Sequence, residues 1–553
     1  MGTAFSSLFS AYEAPILAQI RTYAEAETPK VAIVESDPKS PGKSVNYKEL
    51  YSNVKAVSEQ ISKLLAGRAK GSPRHVTYLV NPSIAYVVIE LAVWAAGGVC
   101  VPLSVHSPGP ELEYFCEQCQ SALCIADAAM ESKLKPVAEK FGIAFTSITE
   151  EATNFRLTTV PSEAKADEEV VTKAESPALI LYTSGTTGKP KGVVHTLGSL
   201  TAQYTALSQA WKWSSKDHTL HVLPCHHIHG VQNILNTGMY NGATIEFCTF
   251  DAGHCLKRIT SGDITCFHAV PTIYVKFTQY LEKCPAAERE TICKGLRNES
   301  LRYMVSGSAA LPVPTMTSWA EISGHVLLER YGMTEIGMAL SNNIDGTRYP
   351  GCVGWPLPNV EVSMDKEGGV LIKGPAVFAE YYRNPEATKK EFTEDGWFKT
   401  GDCVSVGGSP EDMQALQNDA ITVEKATGRP NPATTSTPLP ALANIYRIMG
   451  RSSVDIIKSG GYKLSALEIE SVLLTHPNIK ECAVLGKPDE TWGEKVTAVV
   501  VLDGSLTIKE LRDWGKERMA SYKVPQELEV LTELPRNQMG KLEKKKLMDR
   551  WKK

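Results

Sequence analysis

Short apolar runs alternate with amphipathic stretches from about Ser44 to Ile273. The short runs are rich in β-branched and aromatic residues, a composition typical of buried strands. They are HVTYLV (75–80), ALCIAD (122–127), ALILYT (178–183), TLHVLP (219–224) and ATIEFC (243–248). Because strands that alternate with helices tend to pair in parallel, the pattern predicts an α/β fold with mostly parallel sheets flanked by helices.

The longest apolar segment runs from Ile84 to Leu103. It is almost wholly apolar over about the length of a membrane-spanning helix. However, Glu90 lies in its middle, Gly97 and Gly98 interrupt it, and a proline closes it. The segment therefore predicts a buried helix, a tight turn and a buried strand, and we expect no stable membrane span.

A second unusual segment, from about residue 407 to residue 443, contains ATGRPNPATTSTPLP. It is rich in Pro, Thr and Ala and has few large apolar residues. Such a composition cannot bury enough surface to offset the entropy lost on ordering. The segment therefore predicts a flexible surface insertion.

Regular patterning resumes after the insertion. YKLSALEIESVLLTHPNIKECAVLGKPDETWGEKVTAVVVLDG predicts a helix followed by two strands, and LTIKELRDWGKERMASYKVP predicts another helix. These elements form an α+β unit of about 100 residues, a plausible size for an independent domain. The predicted division is a large N-terminal domain of residues 1–451, which includes a small β-rich subdomain, and a small mobile domain of residues 452–553.

The composition is ordinary for a soluble globular protein of 553 residues, with 43% apolar and 22% charged residues. The net charge of −4 is spread without long runs of one sign, which argues against a nucleic-acid partner. The 13 scattered cysteines predict reduced thiols in an intracellular protein. The oligomeric state stays open.

The segment LYTSGTTGKPKG (181–192) holds three Gly, four Ser or Thr and two Lys in twelve residues. It follows a predicted strand and precedes the helix-like run LGSLTAQYTALSQAW. Glycines let backbone N–H groups turn toward an anion, and the hydroxyl and ammonium groups add donors. The segment predicts a phosphate-binding loop, although it lacks the Walker A pattern. The alternative is a polar surface turn.

Four further motifs follow this loop: RYGMTE (330–335), TGD (400–402), GRSSVDIIKSGGYKLSALEIE (450–470) and PRNQMGK (535–541). In this order and approximate spacing, the five motifs resemble the adenylate-forming superfamily from about Ser44 to Lys541. That superfamily includes acyl-CoA synthetases, adenylation domains of peptide synthetases and firefly luciferase. The resemblance implies that ATP and Mg²⁺ activate a carboxylate as an acyl-adenylate, which coenzyme A then converts to a thioester.

The resemblance also implies roles for individual residues. Glu335 would coordinate Mg²⁺, Thr334 would contact the α-phosphate, and Asp402 and Arg451 would contact the ribose. The adenine would lie along GSAALP (307–312). The complete set implied for ATP and AMP is Thr183, Ser184, Gly185, Thr186, Thr187, Gly188, Lys189, Lys191, Gly307, Ser308, Tyr331, Gly332, Thr334, Asp402 and Arg451. The implied catalytic residues are Lys541, Thr334, Glu335 and His227.

By the same resemblance, Lys541 would bridge the carboxylate and the α-phosphate during adenylation. Taken alone, the KLEKKK run around it is equally typical of a solvated basic face. The small domain would rotate between two poses about a hinge at residues 452–455, where the GR motif is one residue longer than the commoner form. The implied coenzyme A region is Lys458, Gly460, Gly461 and Tyr462.

The acid substrate is suggested by two features. LPCHHIHGV (223–231) places His227 where family members line the acyl pocket, with His229 as a weaker candidate. Arg330 precedes the YGMTE motif and would pair bidentately with a second carboxylate, with Ser306 nearby. The alternatives are a structural role for the histidines and an ion pair between Arg330 and a protein carboxylate such as Glu329.

Within the superfamily, the combination of LPCHHIHG, VSGSAALP and ERYGMTEIGMALSN is most similar to malonyl-CoA synthetases. These enzymes ligate malonate, and sometimes methylmalonate, to coenzyme A. Three alternatives stay open: a short- or medium-chain monocarboxylate–CoA ligase, a module that loads a carrier protein, and a catalytically inactive nucleotide-binding homologue. The N-terminal residues make a poor transit peptide, which leaves the compartment open. The resemblance implies a cytoplasmic or mitochondrial protein, because relatives work in either compartment.

Overall fold

The computed structural model of the protein describes residues 13–37, 42–66, 68, 72–151, 153–161, 172–183, 189–345, 347–407, 414, 444–537 and 542–552. Several predicted features lie outside these ranges. They are Ser184, Gly185, Thr186, Thr187, Gly188, Lys541 and nearly all of the predicted insertion. Among the described helices, none is long and apolar enough to cross a membrane.

Fifteen α-helices lie in the part of the chain that the structure describes, and they include the helices predicted at 84–95, after the phosphate-binding loop and in the C-terminal unit. They are α1 (Pro15–Ala24), α2 (Tyr47–Leu64), α3 (Ile84–Ala95), α4 (Gly109–Gln118), α5 (Glu131–Phe141), α6 (Leu197–Trp211), α7 (Thr237–Tyr240), α8 (Ala252–Ile259), α9 (Pro271–Lys283), α10 (Ala286–Leu296), α11 (Val313–Ser323), α12 (Pro385–Glu391), α13 (Ala466–Leu473), α14 (Ile508–Lys516) and α15 (Lys544–Asp549). A π-helix, His229–Asn236, runs directly into α7.

One large sheet has nine strands. In spatial order they are β16 (Trp355–Pro356), β15 (Gly337–Ser341), β14 (Leu328–Met333), β13 (Tyr303–Ser306), β12 (Cys266–Ala269), β10 (His218–His221), β11 (Thr244–Phe247), β1 (Val31–Glu35) and β2 (Lys43–Asn46). The six strands from β14 to β1 pair in parallel, and the outer strands pair antiparallel.

The second large sheet has eight strands. They are β19 (Glu380–Tyr381), β9 (Lys191–Thr196), β8 (Pro177–Thr183), β4 (Val99–Pro102), β3 (His75–Leu79), β5 (Leu123–Ala126), β6 (Ala144–Glu151) and β7 (Asn154–Leu157). The strands from β8 to β6 are parallel. All five predicted strands therefore exist, and the α/β prediction is confirmed.

The predicted surroundings of the phosphate-binding loop need one correction. A strand, β9, separates that loop from helix α6, and it pairs antiparallel with β8 so that Thr183 lies opposite Lys191. The run KGVVHT alternates polar and apolar residues too weakly to stand out before a long helix. The described ends of the loop therefore belong to two paired strands, and the loop does not lead directly into a helix.

A small antiparallel sheet contains β17 (Glu361–Met364), β18 (Gly369–Lys373), β20 (Phe398–Val406) and β21 (Tyr446–Arg451). Strands β20 and β21 pair antiparallel, with Val406 opposite Tyr446. The two strands that flank the predicted insertion are therefore neighbours in one sheet.

The C-terminal elements form a fourth sheet. Its strands are β22 (Ile456–Ser459), β23 (Tyr462–Ser465), β24 (Ile479–Asp489), β25 (Gly493–Leu502) and β26 (Glu527–Val530). The predicted helix, two strands and helix are confirmed as α13, β24, β25 and α14. The predicted boundary between the two domains stays a prediction.

Helix α3 confirms the buried-helix prediction for the longest apolar segment. Glu90 is fully buried, and the Asn236 side-chain amide donates to its Oε1 at 3.3 Å. Burial raises the pKa of Glu90 to about 8, so the carboxyl group is largely protonated at neutral pH. A neutral acid is compatible with the apolar surroundings.

All 13 cysteines are free thiols, and eleven of them are buried. Cys116 and Cys119 stand in a C-x-x-C spacing at the end of α4, which the expectation of scattered cysteines overlooks. Both are buried, and no disulfide joins them. The prediction of reduced thiols therefore holds.

Candidate active site

The turn after β14 carries Thr334 and Glu335 and is held from two sides. The His195 Nε2 of β9 donates to the carbonyl of Thr334 at 2.7 Å. The backbone N–H of Phe378 donates to the carbonyl of Glu335 at 2.8 Å. This turn belongs to the nine-stranded sheet, whereas β9 belongs to the eight-stranded sheet. The two predicted residues therefore lie where the two large sheets meet.

The Glu335 carboxylate is 6% exposed and accepts a hydrogen bond from the Tyr381 hydroxyl at 2.9 Å. Burial raises the pKa of Glu335, while Arg451 and Lys191 act in the opposite direction. The Lys191 Nζ lies 4.5 Å from the centre of the Tyr381 ring. Lys191 and Arg451 thus both favour the ionised form of Glu335, although the three residues are distant in the sequence.

This arrangement fits Mg²⁺. Mg²⁺ is usually held by one or two carboxylates together with substrate phosphates and waters. Glu335 supplies one such carboxylate beside Lys191, at the described end of the predicted phosphate-binding loop. Among the described residues no group of three or more His, Cys, Asp or Glu is arranged to hold a metal ion. A cation here would therefore depend on the nucleotide for further oxygen ligands.

The predicted ribose-binding residues also come together. Asp402 on β20 lies opposite Arg451 on β21, and their side chains approach to 3.8 Å. The Tyr331 hydroxyl donates to Asp402 Oδ2 at 2.6 Å. Gly332 follows on β14, where an added Cβ would lie 2.0 Å from the carbonyl oxygen of Gly337. Only glycine fits there without a backbone shift.

Lys189 is the first residue of the predicted phosphate-binding loop that the structure describes after Thr183. Its Nζ lies 5.4 Å from the centre of the Tyr114 ring. The Tyr114 hydroxyl donates to the carbonyl of Pro190 at 2.7 Å. Tyr114 on α4 therefore fixes the returning end of the loop.

Arg330 lies at the centre of a second group of predicted residues. Its side chain is 3% exposed, and its Nη2 is 3.4 Å from Ser308 Oγ. The same hydroxyl lies 3.1 Å from His229 Nδ1. An added Cβ on Gly307 would fall 2.4 Å from the guanidinium carbon, so glycine makes room for this side chain. We call Arg330, Ser308 and His229 the acid cluster.

No carboxylate among the described residues pairs with Arg330. Glu329 points to the opposite face of β14, as neighbouring strand residues do, and accepts a hydrogen bond from the backbone N–H of Leu311 at 3.0 Å. Burial raises the pKa of Glu329 to about 8 and lowers the pKa of Arg330 to about 9. The alternative in which Glu329 pairs with Arg330 is therefore wrong.

Of the two candidate histidines, the structure places His229 rather than His227 in contact with the other residues of the acid cluster. His229 belongs to the acid cluster and is 2% exposed, whereas His227 is only partly buried and its ring makes no hydrogen bond with any described residue. Burial lowers the pKa of both, that of His227 to about 4. Ser306 ends β13 as the register partner of Glu329, so its side chain lies on the face of the sheet opposite Arg330, and its buried hydroxyl has no partner among the described residues.

The predicted coenzyme A region forms the turn between β22 and β23. Gly460 and Gly461 both have positive φ values, 56° and 84°, which favour glycine. The exposed Tyr462 ring stacks on Tyr522, with ring centres 4.4 Å apart and 5° between planes. A cavity of about 460 Å³ opens beside this pair and is also lined by Trp492.

The predicted hinge region carries a buried ionic cluster that the motifs did not indicate. Asp455 accepts a hydrogen bond from the backbone N–H of Arg451 at 3.0 Å. The ammonium of Lys544 lies 2.6 Å from both Asp455 and Glu470 and is 8% exposed. Lys544, His195 and Tyr381 gain their roles from contacts between distant segments, so no local spacing could reveal them.

Known proteins match this chain over most of its length. The AMP-binding enzyme family matches residues 20–382, and the AMP-binding enzyme C-terminal domain matches residues 468–541. The mitochondrial malonate–CoA ligase ACSF3 of Xenopus laevis is 41% identical over 542 residues, which cover 91% of this chain and 87% of that protein.

Two solved structures share the fold. ATP-bound MatB from Rhodopseudomonas palustris superposes with a TM-score of 0.78 at 29% identity and covers 98% of this chain and 99% of its own. A malonyl-CoA ligase in a ternary product complex with methylmalonyl-CoA and AMP has a TM-score of 0.60 at 29% identity and covers 94% and 99%. With the family matched across both parts of the chain, this protein belongs to the AMP-binding enzyme family.

Proposed function

We propose that the protein is an AMP-forming acid–CoA ligase that joins malonate, and also methylmalonate, to coenzyme A. The observation that carries the choice of acid is Arg330, a buried cation without a carboxylate partner among the described residues. The ligase reaction itself is supported by the family match and by the malonate–CoA ligase ACSF3 of Xenopus laevis.

In the first step, a carboxylate oxygen attacks the α-phosphorus of ATP, and the bond to pyrophosphate breaks. Two anions must approach each other, so fixed cations lower the barrier. Lys191 and a Mg²⁺ held by Glu335 would neutralise the phosphates, with Lys541 bridging the two reacting groups. In the second step, the thiolate of coenzyme A attacks the acyl carbon and AMP leaves.

The second carboxylate of the substrate would satisfy Arg330. A buried charge without a counter-ion is unfavourable, and removing one partner of a buried ion pair typically costs about 3–5 kcal/mol. A carboxylate matches the planar guanidinium through two parallel hydrogen bonds. Malonate and methylmalonate both carry a second carboxylate one carbon from the first, whereas simple fatty acids offer only a methyl group.

The proposal is tested by the rate of CoA-thioester formation with malonate, methylmalonate, succinate, acetate, butyrate and octanoate. We expect the wild-type protein to form the CoA thioester fastest with malonate. Arg330→Met should lower kcat/KM for malonate by about 100-fold or more, because a charge-assisted pair is lost, and should affect acetate far less.

The matched control is Arg348→Met. Arg348 is a half-buried arginine that donates to the carbonyl of Val326 and, at 3.2 and 3.0 Å, to those of Asn343 and Ile344. None of these acceptors belongs to the acid cluster. Arg348→Met should lower the free energy of unfolding and leave the order of rates among the six acids unchanged. A wild-type preference for acetate or octanoate would contradict the choice of acid and leave the ligase class intact.

We also propose that the protein acts in mitochondria, as the name of its Xenopus laevis relative indicates for that protein. Imaging of the full-length chain with a C-terminal fluorescent tag, beside a mitochondrial marker, tests this. A diffuse cytoplasmic signal would contradict it.

A further inference from the structure

His268 on β12 is a completely buried histidine with two unsatisfied ring nitrogens. It is 0% exposed, and neither Nδ1 nor Nε2 has a hydrogen-bond partner among the described residues. Most buried polar groups are hydrogen-bonded, so each exception needs an explanation. Packing alone would be served better by an apolar side chain of similar size.

The position of His268 connects it with the acid cluster. Its ring centre lies 6.4 Å from that of His229, whose Nδ1 contacts Ser308. Behind it stand Trp211 and Trp213, with ring centres at 5.3 and 5.7 Å. His268 therefore lies between the acid cluster and the rings of Trp211 and Trp213.

Other unsatisfied polar atoms accompany the ring of His268. They are His229 Nε2, Arg330 Nε, Tyr303 Oη and Trp213 Nε1, each buried and without a partner among the described residues. Every one of these groups can donate a hydrogen bond. A concentration of unpaired donors beside a buried guanidinium is complementary to an anion.

We propose that His268 is a specificity-determining residue, which together with His229 donates a hydrogen bond to the distal carboxylate of the acid held by Arg330. This inference rests on the proposed function, because it assigns a residue to the same acid-binding site. It places His268 at the inner end of that site, against Trp211 and Trp213.

The chemistry of the two histidines suits this role. Burial and the nearby Arg330 cation lower the pKa of both His229 and His268. Both rings are therefore neutral, and each has one N–H to donate. A neutral donor strengthens the binding of the carboxylate without adding a second buried cation beside the guanidinium.

The test compares His268→Leu and His268→Gln in the full-length enzyme, with kcat and KM measured separately for malonate and acetate. Removing a hydrogen bond to a charged group should lower kcat/KM for malonate about 10-fold to 100-fold in His268→Leu. Acetate should change by less than about 3-fold on the same reasoning, since it has no distal carboxylate. His268→Gln should recover part of the malonate rate because its amide retains a donor.

A matched control is His325→Leu. His325 is also buried, but its Nε2 donates to the carbonyl of Leu296 at 2.9 Å, away from the acid cluster. This variant should lower the melting temperature and leave the malonate-to-acetate ratio unchanged.

Equal loss of both substrates in His268→Leu, or no recovery in His268→Gln, would overturn the role of His268 and leave the proposed function standing. If His268→Leu does not fold, His268→Met, which also lacks a hydrogen-bond donor, takes its place: a malonate-to-acetate ratio equal to that of the wild type in this variant overturns the inference. If the wild-type enzyme itself prefers acetate, both the proposed function and this inference fail.

Discussion

At the scale of single residues, Asp402 shows how distant motifs make one site. TGD and GR are separated by the predicted insertion, yet Asp402 and Arg451 are register partners on β20 and β21. Tyr331, from the YGMTE motif on β14, donates to the same carboxylate. Three motifs therefore converge on one acidic side chain, which is 8% exposed.

We expect Asp402→Asn to raise KM for ATP about 10-fold to 100-fold, because the proposed hydrogen bonds from the ribose would lose a charged acceptor. Initial rates at saturating malonate and coenzyme A measure this. Tyr331→Phe removes only the hydroxyl donor to Asp402 and serves as the milder comparison. An unchanged KM for ATP in Asp402→Asn would contradict the ribose assignment.

At the level of secondary-structure elements, helix α3 places the side chain of Glu90 inside the hydrophobic core. Asn236 of the π-helix donates to Glu90, and the second carboxyl oxygen of Glu90 has no partner among the described residues. The π-helix also begins with His229 of the acid cluster. One buried element thus connects the core with the candidate site.

The raised pKa of Glu90 makes stability depend on pH. The folded protein binds a proton on Glu90 up to about pH 8, whereas the unfolded chain releases it near the ordinary glutamate pKa of 4.5. The stabilisation of the folded state by this proton is fully present below pH 4.5 and is lost as the pH rises to about 8. The unfolding free energy of the wild type, relative to Glu90→Gln, should fall by on the order of 3–5 kcal/mol over that window.

Urea denaturation of both proteins at several pH values between 5 and 8 measures this difference. Glu90→Gln keeps the volume and the contact with Asn236, so it removes only the titration. A constant difference between the two proteins across the window would show that Glu90 is ionised in the folded state.

Helix α15 depends on a different kind of buried charge. Lys544 neutralises both Asp455 and Glu470, and its ammonium is largely removed from water. Lys544→Met would leave two buried carboxylates without a cation. We expect a loss of about 3–5 kcal/mol in the unfolding free energy of this region, because a buried ionic cluster is broken from one side.

Hydrogen exchange of the amides in α13 and β24 reports that loss. Lys546→Met is the control, since Lys546 is exposed and its ion pair with Glu543 should contribute at most about 1 kcal/mol. Similar protection in both variants would contradict the importance of the buried cluster.

At the scale of the whole molecule, the proposed reaction needs Lys541 in one pose of the small domain only. Lys541→Ala should therefore slow ATP–pyrophosphate exchange by about 100-fold or more while sparing thioester formation from preformed acyl-adenylate. Lys545→Ala, an exposed lysine of the same basic run, should spare both half-reactions. Equal losses in both half-reactions of Lys541→Ala would reject the division of labour between two poses.

The linear sequence is enough to predict the fold class and the family. Strand and helix periodicity reflect burial along one segment, and the five motifs are contiguous, so both kinds of signal can be read locally. The sequence pattern did not predict β9, because a short strand before a long helix has little periodicity of its own. The interruption of the longest apolar run by Glu90, Gly97 and Gly98 was likewise sufficient to predict a buried helix.

Which of these residues share a site follows from the contacts in the folded chain. The tertiary structure separated Glu329 from Arg330 although they are neighbours in the chain, because adjacent strand residues face opposite sides of a sheet. It brought His229, Ser308 and Arg330 together from three elements and left His268 with unsatisfied donors beside them. Hydrogen bonds, burial and charge pairing depend on distances between segments, and a linear sequence does not contain those distances.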